Sequence, residues 1–124
     1  MDVVLDTNFL LLPHQMGVDI FSEITRVVSE EHRLMTLSPV LAELNNLIGP
    51  SGDGVAAKVG MQLLLEKKVF VVGVPEANAD EAIVNYASDN KAIVCTNDGG
   101  LKSRLKKKRV KVLCLKGKDH LGFA

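Results

Sequence analysis

Five short apolar runs recur along the chain, at residues 3–5, 34–37, 69–74, 92–96 and 110–115, most of them rich in β-branched side chains. Within each run the apolar residues are consecutive and do not alternate with polar ones. That is the pattern of strands covered by helices on both faces. Between the runs, apolar residues fall at helical spacing. Ile20, Ile24, Val27 and Val28 form one stripe, and Val40, Leu41, Leu44 and Leu47 a second. Val59, Leu63 and Leu64 form a third, Ala82, Ile83, Tyr86 and Ala87 a fourth, and Leu101 with Leu105 a short fifth. The alternation predicts the order β-α-β-αα-β-α-β-α-β, an α/β domain built around a central parallel sheet flanked by helices.

Local signals mark some boundaries. Ser38 followed by Pro39 reads as an N-cap with proline in the first helical position. Asn78 with Glu81 has the form of a capping box. The Gly-Pro-Ser-Gly-Asp-Gly stretch at 49–54 is the obvious loop and separates two helices. At 124 residues the chain has room for one domain, 1–124, and one core. Aromatic residues make up 4% and Trp is absent, so the core must be aliphatic. The apolar runs fall far short of the ~20 residues that span a bilayer, so no membrane partner is expected. The opening Met-Asp-Val-Val-Leu has no basic leader, and a cytoplasmic location is the expectation. Cys95 and Cys114 each sit inside an apolar run and read as small buried hydrophobes.

The formal net charge of zero conceals a division. Residues 1–101 carry 6 basic side chains against 14 acidic ones, whereas residues 102–118 carry 9 basic ones and no acid. A basic segment beside an acidic body suggests a polyanion at one end and bound cations elsewhere.

Four acids occupy informative places. Asp6 ends the first run, Glu43 lies about one turn into the helix after the second, Asp80 opens the helix after the third, and Asp98 follows the fourth. In an open parallel sheet all four belong to the carboxyl edge, where ligands bind. Each has an ordinary explanation: Asp98 as a helix cap, Asp80 as a first-turn charge, Glu43 on a solvated helix face. Asp6, a charge closing Val-Val-Leu, resists such a reading most. Together they favour one site of hard oxygen ligands, suited to Mg²⁺ or Mn²⁺.

The segments that carry these acids resemble the ordered motifs of PIN-domain nucleases. They are Leu-Asp-Thr-Asn-Phe-Leu-Leu at 5–11, Pro-Val-Leu-Ala-Glu-Leu at 39–44, Ala-Asp-Glu-Ala-Ile at 79–83 and Thr-Asn-Asp-Gly-Gly-Leu at 96–101. The resemblance covers residues 1 to about 115 and implies a five-stranded sheet of order 3-2-1-4-5. It implies divalent-metal-dependent hydrolysis of RNA phosphodiesters, with Asp6, Glu43, Asp80 and Asp98 as catalytic and metal-binding acids and Asn8 and Thr96 in support. Residues 101–115 are similar to the ribosomal-RNA-processing branch. Toxin ribonucleases share the same acids, and Gly99-Gly100 departs from the bulkier residues often found there.

Lys102, Arg104, Lys106, Lys107, Lys108, Arg109 and Lys111 are expected to follow the RNA backbone, a contact that gives affinity without sequence reading. Phe9, Phe21, Phe70 and Phe123 read as mostly core, leaving no platform for stacked bases. His14, His32 and His120 lack metal-ligand spacing. No nucleotide-binding glycine motif is present, and Asn8 replaces the second Asp of an aspartyl phosphotransfer signature. A homodimer is expected to use the apolar residues 10–12 and the helices after Gly54. The reading from another class is a non-catalytic RNA- or protein-binding module.

Overall fold

The computed structural model describes residues 1–124. Strands β1 (Asp2–Leu5), β2 (Arg33–Leu37), β3 (Phe70–Val72), β4 (Ile93–Cys95) and β5 (Val112–Lys116) form a parallel sheet. A sixth strand, β6 (His120–Phe123), turns back and pairs antiparallel with β5, giving the order β3-β2-β1-β4-β5-β6. The expected five-strand order is present and one strand longer. Side-chain to backbone bonds hold β6 down: Glu23 Oε1 accepts from the Leu121 amide at 3.0 Å, and Arg26 Nη2 donates to the Leu121 carbonyl at 3.1 Å.

Helices α1 (Thr7–Met16), α2 (Ile20–Val27), α3 (Ser38–Leu47), α4 (Asp53–Glu66), α5 (Ala79–Asn90) and α6 (Gly99–Lys107) connect the strands. Two helices, not the one expected, lie between β1 and β2, and the first of them, α1, carries no amphipathic stripe. Its buried residues Phe9, Leu10, Leu11 and Leu12 face every direction. Four consecutive apolar residues cover this part of the helix on every side and leave no periodic signature. Here α1 packs against α4 at close range. A Cβ built on Gly60 of α4 would stand 2.5 Å from the Leu10 carbonyl oxygen, so only glycine permits the crossing. Leu10, Leu11 and Leu12 are consequently buried in the monomer at 1%, 7% and 5% exposure, and the expected dimer surface at 10–12 does not exist.

Ser38 is not the N-cap of α3: Leu37 is, without a side-chain bond, and Ser38 Oγ instead accepts from the Val74 amide at 3.1 Å. Asn78 does cap α5, its Oδ1 accepting from the Glu81 amide at 2.9 Å. Glu81 does not reciprocate but pairs with Arg104 on α6. Cys95 and Cys114 are buried and free, as their apolar surroundings suggested. Cys95 lies opposite Leu113 in the β4–β5 register, so Cys114 points to the other face of the sheet.

Candidate functional site

Because β1 to β4 all run parallel, their carboxyl ends share one edge, and the helices that follow begin there. Asp6 is the N-cap of α1, Asp80 sits in the first turn of α5, and Asp98 is the N-cap of α6. The two capping acids owe their place to a general preference: a short side-chain acceptor at a helix start satisfies an orphan amide. Glu43 lies one turn into α3.

Asp6 is the buried member, 4% exposed, and both its oxygens are engaged by neutral donors. Oδ1 accepts from the Thr7 amide at 2.8 Å and Oδ2 from the Thr96 hydroxyl at 2.7 Å. Burial pushes its carboxyl up to about 6. The bonds from Thr96 and Thr7 oppose that shift, and the charges of Asp80 and Glu43 add to it. No Lys, Arg or His forms an ion pair with Asp6, Glu43, Asp80 or Asp98. Asp6 is thus a buried anion facing two further anions, with no cation of the protein beside it.

The four acids share an edge without closing on a point. Glu43, exposed, is held by the Thr7 hydroxyl, which donates to Oε1 at 2.9 Å. Asp98, also exposed, turns one oxygen back to the Leu101 amide at 2.8 Å. No three of the His, Cys, Asp and Glu side chains form a ready ligand group. Mutual repulsion explains the arrangement, since each exposed acid takes the nearest amide or hydroxyl donor. Gly100 lies against Asp98, where a Cβ would meet Oδ1 at 3.3 Å. The departure at Gly99-Gly100 therefore leaves that carboxylate uncrowded.

Thr96 and Asn8 both bond to the loop that carries Asp98. The Thr96 oxygen accepts from the Asp98 amide at 3.1 Å while its hydroxyl serves Asp6, so one residue links the two acids. Asn8 Oδ1 accepts from the Asn97 amide at 3.3 Å. Two residues were missed from the sequence. Thr7 ties Asp6 to Glu43, and Asn97 Oδ1 accepts from the Leu115 amide at 2.9 Å, pinning the 96–98 loop to β5. Thr7 directly follows the acid in an Asp-Thr-Asn run, which was a usable signal; Asn97 offered none.

The basic tract divides. Lys102, Lys106, Arg109 and Lys111 line one hollow, and Lys108 lines a second with Arg109 and Lys111. Arg104 is committed to Glu81 at 2.9 Å. The aromatic expectation holds for Phe9 and Phe21, which are buried, and fails for Phe70 and Phe123, which are 56% and 44% exposed. The Arg33 guanidinium lies 5.5 Å from the centre of the Phe70 ring. None of the helices is long and apolar enough to cross a membrane.

A sequence model of the PIN-like domain family matches residues 3–118. Ribonuclease VapC4 of Methanocaldococcus jannaschii is 34% identical over 121 residues, covering 95% of this chain and 92% of the relative. Among solved structures, the PIN domain endonuclease Utp24 is similar at a TM-score of 0.83 and 22% identity, over 98% of this chain and 90% of that one. The VapBC-1 structure from nontypeable Haemophilus influenzae gives 0.61 and 19%, over 86% and 94% respectively. At such identities these two structures speak for the fold alone.

Proposed function

We propose, from the premise that this chain belongs to the PIN-like domain family, that it is a divalent-metal-dependent endoribonuclease. The observation that carries the proposal is Asp6: a buried carboxylate at the carboxyl edge of the sheet, pressed by Asp80 and Glu43 and lacking any basic partner. Such a group destabilises a folded protein unless a cation joins it. The donors are all carboxylate oxygens, which fits Mg²⁺ or Mn²⁺ better than zinc. Asp6, Glu43, Asp80 and Asp98 would hold the ion. When bound, it would neutralise charge at the scissile phosphate and ease deprotonation of the attacking water.

The chain's own part is positioning. Thr96 and the Thr7 amide fix both oxygens of Asp6, and the Thr7 hydroxyl orients Glu43. Thr96 also holds the backbone of Asp98, while Asn8 and Asn97 brace the loop that carries it. The basic side chains after residue 101 supply phosphate affinity. Similarity to a relative named a ribonuclease supports RNA as substrate. Ribosomal RNA processing in the cytoplasm is the role we favour. The toxin-type reading uses the same site on another RNA, and the non-catalytic reading abandons the chemistry.

Melting curves and cleavage assays with and without metal test the proposal. Mg²⁺ or Mn²⁺ should raise the melting temperature, by about 2.7 kcal/mol of stabilisation at a hundredfold excess over the dissociation constant. Asp6→Asn and Asp98→Asn should abolish both that response and RNA cleavage. Unchanged cleavage in either variant would refute the site. An absence of cleavage in the wild type with both ions would leave the binding-module reading.

A further inference from the structure

A hollow of about 630 Å³ lies between α6 and the C-terminal hairpin. Lys102 and Lys106 of α6 line it, with Arg109 and Lys111 from the turn into β5, and no acidic side chain reaches it. Phe123, at the end of β6, is also in its wall and remains 44% exposed. The volume is that of a small-molecule site. Its lining combines four cations, an open aromatic ring and no acidic side chain, a combination that recurs where single-stranded nucleic acid is bound.

Its place in the fold connects it to the acidic edge. Gly99, next to Asp98, lines one end of the hollow, and Arg109 lines it just beyond the other end of α6. The nine residues of α6 span ~13 Å at 1.5 Å each. A strand leaving the acids along this helix therefore enters the hollow within a short distance. Lysines alone would serve any polyanion. The exposed ring is what selects, because only an unpaired base offers a face to stack on it.

We propose that this hollow is a nucleotide subsite: it takes one unpaired nucleotide of the RNA, with the base against Phe123 and the neighbouring phosphates on Lys102, Lys106, Arg109 and Lys111. The assignment rests on the nuclease reading, which it extends from RNA in general to single-stranded RNA outside the acidic centre.

The chain contains no Trp, so Phe123→Trp creates a single fluorescent reporter in the wall. Titrations in EDTA read binding independently of cleavage. A ten-nucleotide single-stranded RNA should quench the reporter saturably. An abasic phosphodiester of equal length, the same RNA as a duplex, inorganic tripolyphosphate and a polyglutamate peptide should each bind roughly tenfold more weakly or fail to quench. Phe123→Ala, followed by anisotropy of labelled RNA, should weaken binding of the single strand roughly tenfold and leave the abasic oligomer nearly unaffected. Equal affinity for the abasic strand, equal quenching by duplex or peptide, or unchanged RNA binding in Phe123→Ala would overturn the subsite. Base-dependent quenching by a protein that cleaves no RNA with either ion would retain the subsite and remove the nuclease reading. Cleavage without quenching would do the reverse.

Discussion

Asp6 concentrates the electrostatic cost of the site. Its carboxyl is pushed up to about 6 in the folded chain, against ~3.9 when unfolded. The folded state therefore binds a proton more tightly, and between pH ~4 and ~6 it holds more protons than the unfolded state. Stability from this group is highest below the unfolded value and falls as pH rises through about 6. Asp6→Asn keeps an acceptor for the Thr7 amide and removes the charge. In EDTA at pH 7.5 it should stabilise the protein by about 1–3 kcal/mol, with little gain at pH 4. Urea midpoints at the two pH values check this; an equal shift at both would mean that burial of the charge is not the cause. Asp6 could be picked out because a charge rarely closes an apolar strand without a reason. Thr7 stands beside it in the same Asp-Thr-Asn run, but its bond to Glu43 bridges 36 positions of chain and has no local signature.

Among the secondary-structure elements, the five parallel strands were legible, whereas β6 and several boundaries were not. Helices α4, α5 and α6 are each followed by a left-handed residue, and these are Lys68, Lys91 and Arg109, with φ of 53°, 52° and 59°. Glycine normally marks such ends, so its absence removed the punctuation. Helix α1 was invisible for the opposite reason, since its buried apolar residues 9–12 are consecutive and form no stripe. Its seat on α4 predicts a specific sensitivity. Gly60→Ala gains about 1 kcal/mol of helix propensity, yet its methyl would collide with the backbone of Leu10. The collision should prevail, with a net loss of about 1–3 kcal/mol as in overpacked cores. Chemical denaturation measures it, and a stabilised Gly60→Ala would show that α1 and α4 can part without cost. Since α1 begins at Asp6, the same variant should also reduce metal-induced stabilisation.

Across the whole domain, charge is segregated by the fold. Acids without basic partners share the carboxyl edge, and the basic tract runs down α6 and around its end to the hollow beside β6. If phosphates follow that route, replacing Lys102 and Lys106 with Gln should lower the slope of log affinity against log salt by up to ~0.7 per lost contact on single strands. Cleavage should fall mainly through KM, because a uniform binding contribution has been removed. An unchanged slope would make these lysines a solvated face. The C-terminal hairpin completes the wall, and it rests on Glu23, whose carboxyl is held down at about 2 chiefly by its bond from Arg26.

What the sequence determined is what nearest neighbours and periodicity can encode. Continuous β-branched runs demanded a parallel sheet, helical stripes marked five of the six helices, and acids just after apolar runs marked the reactive edge. These signals are local because backbone pairing and burial impose a repeat on consecutive residues. Tertiary structure decided the rest. It buried residues 10–12 beneath α4, turned Asp98 and Glu43 onto nearby donors, and added β6 through bonds between residues 95 and 98 positions apart. It also left Phe123 exposed among four cations. Each of these depends on which surfaces meet once the helices are packed, and no repeat along the chain records that.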